Sequence, residues 1–463
     1  MSKKMTSKEI KHLYWRAGFG SNVSIVRSLD GIEREKLVDE LFTQASNFER
    51  LTVPTPEIDK ALKDKNLLAK KDEIRALIKQ SKDRVGDLNS EWIKRICTTE
   101  EPLRERMTLF WANHFVCRDL NILHIQQYNN TLRKYALGNF RDFVKAISRE
   151  ASMIKYLNNK QNRKDQPNEN FARELMELFT LGRGQYSETD IKEAARAFTG
   201  WNHDFRGAFR FVMRQHDYEE KTFFGKTGNF DGEDIIDLIL EKRECAAFIC
   251  RKIYAYFVND NVSEDHLRAM TDVFYADYDI EKLMRYVFNS DWFYDNKNIG
   301  GKIKSPMDLL AGMYRTVPFK FNEVKQLRYI QNLLGQILLY PPNVAGWEGG
   351  RGWINANTMM VRMRLSSILL NNGFIAFDEK GAFEDSFKKR YAKRSNLKRR
   401  LNITADWEYA DRHYGALTHH ELRDIILNGR LTDTTRSFLN TKSDVPKKEF
   451  LIQLMSLPEY QLC

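Results

Sequence analysis

Apolar residues recur every three or four positions along most of the chain, which is the period of an amphipathic α-helix. The pattern predicts a succession of helices, separated by short polar or glycine-containing turns, at 6–14, 32–45, 58–97, 104–116, 122–137, 140–149, 151–157, 187–199, 231–240, 244–258, 263–276, 279–289, 306–315, 323–337, 354–370, 418–428 and 446–455. Within the long stretch 58–97, Gly86 is the expected break. Weakly alternating residues predict one small β-hairpin near 209–224. The sequence therefore predicts an all-α fold, with residues 1–463 forming a large multi-helix single domain.

The stretch from Pro167 to Gly182 has the most unusual pattern in the chain. Pro167 favours a turn, Asn168 is a predicted helix N-cap, and Gly182 is a typical helix stop. The apolar residues between them share one side of the predicted helix: Phe171, Leu175, Leu178 and Phe179. This helix therefore has one face suited to a core and leaves the other to polar residues.

The polar face of that helix carries two carboxylates. At 100° per residue, Asn170, Glu174 and Glu177 fall on one narrow stripe, with Arg173 at its edge. Two carboxylates one turn apart repel each other unless a cation, a proton or an arginine lies between them. We therefore take Glu174, Glu177, Arg173 and Asn170 as candidate catalytic residues.

Composition narrows the class of protein. Apolar residues make up 42% of the chain and aromatic residues 12%, which excludes a disordered protein. Lysine and arginine total 74 against 63 acidic residues, and this excess suits an anionic ligand, although a surplus of this size is also common in proteins that bind no polyanion. The five cysteines show no C-x-x-C spacing, which indicates reduced structural thiols. No signal peptide and no transmembrane segment is visible, so we expect a cytoplasmic protein.

Residues 376–402 differ in character from the rest of the chain. They become basic, with runs at 388–394 and 398–400, before a predicted C-terminal helical subdomain at 403–463. Tyr391 lies among these cations, a pattern compatible with nucleic acid binding. The alternative is a solvated, mobile surface segment.

Motifs along nearly the whole chain resemble a bacterial family, domain-of-unknown-function family 1800 (DUF1800). The matching stretches are His12–Gly20, Phe110–Phe115, Ala136–Asp142, Tyr156–Asn159, Pro167–Trp201, His216–Asp217, Lys221–Gly228, Ser305–Pro306, Pro341–Trp347 and Leu457–Leu462. The resemblance implies a largely helical single domain and no established activity. The family motif has a second histidine where this chain has Ala112, so a metal ligand at that position in relatives would be missing here.

One hypothesis for the polar stripe is a metal site between helices. Glu174 and Glu177 would supply oxygen ligands, His114 and His216 nitrogen ligands, and Asp217 would orient a histidine. The Glu-x-x-His pairing of di-iron bundles is absent, since the spacing here is Glu-x-x-Glu.

Two other hypotheses explain the stripe without a metal. In a buried salt-bridge network, Arg173 pairs with Glu169 and Glu177. The candidates for neutralising Glu174 are Arg196 and Arg141. In a metal-free hydrolase, Glu174 or Glu177 acts as the acid or base of a carboxylate pair, although carboxyls one turn apart on one helix are poorly placed to flank a sugar bond.

Five residues outside the stripe are candidates for substrate binding: Asn168, His12, Arg16, Trp347 and Trp353. The two tryptophans belong to a rigid aromatic loop at 340–353, and aromatic faces beside a guanidinium suit sugar rings or nucleobases. The alternative is that this loop packs its tryptophans on the core. A helix-end contact is the corresponding alternative for His12 and Arg16.

Two functional hypotheses follow from the sequence. The first is a metal-assisted hydrolase with a polar Glu/Asn/His/Arg pocket and a divalent metal as its cofactor. The second is a non-catalytic scaffold or binding protein for an anionic glycan, a nucleic acid or a protein partner.

Overall fold

A computed structural model describes residues 3–64, 70–371 and 401–463. Most of these residues are helical. In chain order, the first helices are α1 (Ser7–Ala17), α2 (Val23–Ser28), α3 (Arg34–Gln44), α4 (Pro56–Ala61), α5 (Lys71–Thr98), α6 (Pro102–His114), α7 (Ile122–Lys134), α8 (Phe140–Ser148), α9 (Ala151–Tyr156), α10 (Asn170–Glu174) and α11 (Glu188–Ala197). The later helices are α12 (Gly232–Leu240), α13 (Arg243–Phe257), α14 (Glu264–Tyr275), α15 (Ile280–Asn289), α16 (Pro306–Thr316), α17 (Val324–Leu334), α18 (Ala356–Leu370), α19 (Trp407–Tyr414), α20 (His419–Ile426), α21 (Asp433–Asn440) and α22 (Lys447–Met455).

Shorter elements connect these helices. A π-helical segment, Leu175–Thr180, continues α10. The 3₁₀ turns are Asn159–Gln161, Met213–Gln215, Asp291–Tyr294, Gly350–Trp353 and Pro458–Gln461. The antiparallel strand pairs are β1 (Trp201–His203) with β2 (Phe209–Phe211), β3 (Lys221–Phe223) with β4 (Lys226–Gly228), and β5 (Phe319–Phe321) with β6 (Ile403–Ala405).

The mostly helical fold predicted from the sequence is confirmed, but its β structure was predicted incompletely. The strand Phe209–Phe211 pairs with Trp201–His203, whereas Lys221–Phe223 pairs with Lys226–Gly228, so the predicted single hairpin is two separate hairpins. A third pair joins segments about 80 residues apart, Phe319–Phe321 and Ile403–Ala405. Local alternation was too weak to identify the partners, because tertiary contacts decide strand pairing.

Gly86 does not break its helix. It lies inside α5, which runs without interruption from Lys71 to Thr98. A single glycine costs an exposed helix only about 1 kcal/mol, and the buried face of α5 compensates for it. The C-terminal half of that face packs Leu88, Trp92 and Ile96 into the core.

The described chain groups into two compact units. The first unit comprises Met1–Lys3, Glu33–Phe293 and Leu338–Trp347. The second unit comprises Lys4–Ile32, Tyr294–Ile337 and Glu348–Cys463. The sequence predicted that the whole chain forms a single domain, and for these two units this stays a prediction. Residues 376–400 of the predicted basic segment lie outside the described residues.

The core of the first unit is built around the fully buried Trp111 of α6. Its ring centroid lies 5.8 Å from Phe115, 5.7 Å from Phe140 and 5.3 Å from Phe143. Its indole nitrogen donates to the carbonyl of Ala136 at 3.0 Å, so the one polar group of the ring is satisfied.

A buried ion pair accompanies this core. Glu105 on α6 accepts from Arg133 Nε of α7 at 2.6 Å and from Trp92 Nε1 of α5 at 3.0 Å. The other end of Arg133 donates to the side-chain oxygens of Asn129 at 2.9 Å and Asn130 at 3.1 Å. The Glu105 and Arg133 side chains are 3% and 1% exposed, so this pair and its partner Trp92 tie three helices together at a buried position.

The core of the second unit holds a buried lysine. Lys304 Nζ lies 3.8 Å from the ring centroid of Trp15 and 3.6 Å from that of Tyr460. Burial lowers the pKa of Lys304 to about 7. Gly312 is required beside it, because a Cβ at this position would lie 2.4 Å from the Trp15 ring.

Two further expectations can be compared with the structure. All five cysteines are buried, and within the described residues none of them forms a disulfide, in line with the expectation of reduced structural thiols. Within the described residues, no helix has both the length and the apolar character required to span a bilayer.

Candidate functional site

The predicted central helix changes its winding halfway. The α-helical turn Asn170–Glu174 passes into the π segment Leu175–Thr180. The backbone amides of Leu181 and Gly182 both donate to the carbonyl of Met176, at 2.9 and 3.0 Å. π turns are rare in proteins overall, but those that do occur are often found at functional sites.

His114 and Lys252 satisfy carbonyls in the last turn of the π segment. His114 Nε2 lies 3.0 Å from the Phe179 carbonyl, and Lys252 Nζ lies 2.9 Å from the Leu178 carbonyl. Lys252 Nζ is also 3.2 Å from His114 Nδ1. The carbonyl and the ammonium therefore fix the imidazole as the neutral tautomer with its proton on Nε2.

The pKa values of this pair agree with that assignment. Burial, with a further contribution from the Lys252 charge, lowers the pKa of His114 well below its usual value. Burial lowers the pKa of Lys252 to about 8. Both ring nitrogens of His114 are engaged, so the contacts of this predicted metal ligand are those of a residue that positions the π segment.

The residue before His114 fixes a second segment of the first unit. Asn113 Oδ1 accepts from the Trp347 amide at 2.7 Å, and its Nδ2 donates to the Trp347 carbonyl at 3.1 Å. Gly346 has a φ of +82°, and a Cβ there would lie 2.3 Å from Asn113 Oδ1. The Trp347 ring is buried, as expected if this part of the loop packs on the core.

Two of the acidic residues on the central helix are neutralised by arginines. Arg173 donates to Glu169 at 3.1 Å and to both oxygens of Glu188 at 2.9 and 2.8 Å. Glu177 accepts from Arg183 Nε at 2.7 Å and from the Tyr186 hydroxyl at 3.1 Å. The bond to Arg183 is the main cause of the lowered pKa of Glu177.

Glu174 differs from its neighbours. Within the described residues, its half-buried carboxylate makes no hydrogen bond and no ion pair. Burial, and next the charge of Glu177, raise the pKa of Glu174 above its usual value. The two arginines expected to neutralise it pair elsewhere, Arg196 with Asp217 and Arg141 with Asp237, both at 2.7 Å.

Tyr156, which the sequence did not predict as a site residue, lies near Glu174, and Arg118 lies near Tyr156. Burial raises the pKa of the Tyr156 phenol, and the charges of Glu174 and Arg118 also act on it, in opposite directions. Arg118 is exposed, and its guanidinium lies over the Tyr340 ring at 5.3 Å from the centroid. In the part of the chain that the structure describes, Arg118 has no ion pair and the Tyr156 hydroxyl no hydrogen bond.

The two amides of the stripe have structural contacts. The Asn168 side chain accepts from the Asn170 amide at 3.1 Å, and Asn170 Nδ2 donates to the Leu157 carbonyl at 3.2 Å. The N-cap position is Glu169 rather than the predicted Asn168. Asn168 and Asn170 thus shape the start of the helix next to α9, which carries Tyr156.

His216 and Asp217 belong to other networks. His216 Nδ1 lies 2.9 Å from the Thr199 carbonyl, and its ring lies between Phe211 and Tyr218 at 5.0 and 4.7 Å. Asp217 pairs with an arginine of α11. No group of three histidines, cysteines or acidic residues suited to a metal occurs among the described residues. The metal role of His114, His216 and Asp217 stays a prediction without a supporting contact.

The other predicted substrate-binding residues belong to the second unit and are buried. Arg16 donates to the Asn298 carbonyl at 2.9 Å, and the edge of His12 faces the Tyr294 ring at 6.0 Å. Trp353 is also buried, and its carbonyl accepts from the Thr358 hydroxyl at 3.0 Å. These contacts agree with the alternatives of a helix-end contact and a packed loop.

A buried polar cluster in the first unit has no signal in the sequence. Asp119 accepts from Lys155 Nζ at 2.7 Å, and His124 Nδ1 lies 3.4 Å from its other oxygen. Nearby, burial raises the pKa of Glu150 to about 7, although the Thr131 hydroxyl donates to it at 2.5 Å. The packing of α7 against α9 brings these residues together, so their spacing along the chain gave no indication of the cluster.

Comparison with known proteins places this helical fold in a family. The family model described as "Protein of unknown function (DUF1800)" matches residues 12–462. The chain therefore belongs to the DUF1800 family, as its motifs indicated. No curated protein and no solved structure matches the chain.

Proposed function

We propose that the first unit is a hydrolase that uses Glu174 for acid–base catalysis on an ester with an anionic group. The observation that carries this proposal is the state of Glu174. Its carboxyl is half-buried, has a raised pKa and is without a partner in the described structure, while Glu169 and Glu177 on the same helix are paired. A carboxyl kept ready to hold and release a proton is typical of a catalytic acid or base.

Arg118 and Tyr156 supply the remaining parts of the proposed site. The Arg118 guanidinium binds the anionic group of the substrate, because its donors are not used by a described carboxylate. The Tyr156 phenol lies within electrostatic range of both Arg118 and Glu174. It therefore donates a hydrogen bond to a substrate oxygen held between them.

The proposed reaction uses one carboxyl and one water molecule. Protonated Glu174 gives its proton to the leaving oxygen as the ester bond breaks. The oxygen of water forms the new bond at the same centre, and a proton from that water returns to the Glu174 carboxylate. The products are an alcohol and the free acid, and Glu174 ends the cycle in its starting state.

The test compares the wild type with Glu174→Gln on p-nitrophenyl phosphate, p-nitrophenyl sulfate and a p-nitrophenyl ester of a dicarboxylic acid. We expect Glu174→Gln to lower kcat by about 100-fold or more, and Arg118→Gln to raise KM. Glu169→Gln is the matched control, since Glu169 lies on the same helix and is paired with Arg173. Absence of hydrolysis of all three esters by the wild type, or equal rates for Glu174→Gln, would contradict the proposal.

Metal removal separates this mechanism from the metal-assisted form expected from the sequence. The proposed acid–base step depends on the residues just named, so dialysis against a chelator leaves kcat unchanged. A fall in kcat that Zn²⁺ or Mg²⁺ restores would instead support the metal-assisted hydrolase.

A second candidate function is binding of single-stranded nucleic acid. Four large apolar side chains are exposed within a short stretch of the first unit: Phe205, Phe211, Met213 and Tyr218. Exposed arginines at 206, 210 and 214 alternate with them. Aromatic faces interleaved with cations suit stacked bases and phosphates.

The second candidate is tested by fluorescence anisotropy with a labelled oligothymidine. We expect Phe205→Ser plus Phe211→Ser to weaken binding by about tenfold or more, as loss of base stacking predicts. Phe438→Ser, which removes an exposed phenylalanine of α21, is the matched control. Equal affinities of all three proteins, or no binding by the wild type, would exclude this function.

A further inference from the structure

A cavity of about 530 Å³ lies within the second unit, beside α20 and α21. This volume is in the range of small-molecule sites. Among the described residues that line it, those charged at neutral pH are four cations and one carboxylate: Lys8, Arg423, Arg430, Arg436 and Asp424. The lining is therefore strongly cationic.

Asp424, the carboxylate named in this lining, already has partners among the described residues. Asp424 Oδ1 accepts from Arg423 Nε at 2.9 Å, and Asp424 Oδ2 lies 3.2 Å from His420 Nδ1. Arg423 itself is 8% exposed, so this pair forms part of the cavity wall. Asp424 is consequently not available to balance the remaining cations.

Those remaining cations have no acidic partner in the described structure. The side chains of Arg430 and Arg436 are exposed and make neither an ion pair nor a hydrogen bond with a described residue. Lys8 Nζ donates to the neutral Asn296 Oδ1 at 2.8 Å. Like charges gathered around a cavity repel one another, and a bound anion would remove that repulsion.

A fifth cation lies behind the cavity wall. Lys11 of α1 donates to the carbonyls of Leu427, at 3.1 Å, and Asp424. Burial lowers the pKa of Lys11 to about 8, and the neighbouring charge of Lys8 contributes in the same direction. Its ammonium group is thus an additional source of positive potential.

We propose that this cavity binds a small molecule that carries a phosphate or sulfate group. Arg430 and Arg436, whose guanidinium groups bond to no described residue, can each hold two oxygens of such a group, which is the recognition that arginine provides best. Lys8 adds a third, point-like positive charge. The volume of about 530 Å³ suits a small ligand.

Isothermal titration calorimetry of the full chain with inorganic pyrophosphate tests this proposal, and sulfate in a second arm distinguishes the two chemistries. We expect the wild type to bind at least one of them, and Arg430→Gln plus Arg436→Gln to raise Kd by about tenfold or more. Arg412→Gln is the matched control, because Arg412 is an exposed arginine of the same unit with only a 4.0 Å contact to Glu408. It should leave Kd unchanged.

The double variant should fold normally, since neither arginine has a partner to lose among the described residues, and an unchanged unfolding midpoint verifies this. A rise in Kd from about 0.05 to about 0.5 M salt is expected for binding by exposed cations. The proposal is overturned if neither anion binds the wild type, or if the double variant binds as tightly as the wild type.

Discussion

Two glutamates of the first unit, Glu105 and Glu174, are in opposite situations. Glu105 is buried, and its two oxygens accept from Arg133 and Trp92. Glu174 is half-buried, and no described residue bonds to it. A buried charge must keep its partners because leaving one uncompensated is costly. The contrast predicts that the Glu105 pair stabilises the fold, whereas the ionised Glu174 carboxylate does not, because partial burial disfavours its charge.

The largest expected effect comes from breaking the Glu105 pair. Glu105→Gln leaves the guanidinium of Arg133 buried without a negative charge, so we expect a loss of about 3–5 kcal/mol in the free energy of unfolding. Urea denaturation measures this loss. The control is Glu91→Gln on α5, whose exposed carboxylate lies 3.7 Å from Lys94 and should change stability by less than about 0.5 kcal/mol. A similarly small change for Glu105→Gln would show that Glu105 and Glu174 do not differ in their contribution to stability.

An intermediate effect is expected at the end of the π segment. His114→Phe keeps a ring of similar size but removes the donor to the Phe179 carbonyl and the acceptor for Lys252. We expect unfolding to become easier by about 1–3 kcal/mol, the cost of a buried polar group without a partner. Urea denaturation measures this change. An unchanged free energy of unfolding in this variant would show that His114 does not stabilise the π segment.

The raised pKa of Glu150 can be tested by measuring the stability of the protein as a function of pH. Because its pKa is raised to about 7, the folded state binds more protons than the unfolded state between pH 4.5 and 7. Its contribution to stability is therefore complete below pH 4.5 and is lost as the pH rises through 7. Unfolding measured across this interval should show a smaller decline with pH for Glu150→Gln than for the wild type. An identical slope for both proteins would contradict the raised pKa.

The smallest effect on stability is expected at Glu174. Glu174→Gln removes no ion pair and no hydrogen bond with a described residue, so the free energy of unfolding should change by less than about 0.5 kcal/mol. Where the wild-type carboxyl is ionised, the variant should be equal or slightly more stable, because the amide avoids the burial of a charge. A loss as large as that of Glu105→Gln would show that Glu174 has a structural partner.

Much of the fold could be predicted locally. The capping boxes that begin α1 and α11 combine Thr6 with Glu9 and Ser187 with Asp190, which are residues only three positions apart in the sequence. Strand partners could not be predicted, because each strand has three residues and its partner is chosen by packing. Helical spacing predicted that Glu174 and Glu177 lie close to each other, and the charge of Glu177 does act on Glu174, although the winding changes to a π segment after Glu174.

The sequence by itself determined the helical architecture, the family and the acidic stripe, because all three depend on residue spacing or on motifs within single segments. Only the tertiary structure decided which carboxylate of the stripe has no partner among the described residues. Arg183 and Tyr186 bind Glu177, while Arg196 and Arg141 pair elsewhere. The same holds for Tyr156, whose proximity to Glu174 depends on helix packing. Ion pairing is a competition among side chains in space, and the order of residues along a chain does not specify its outcome.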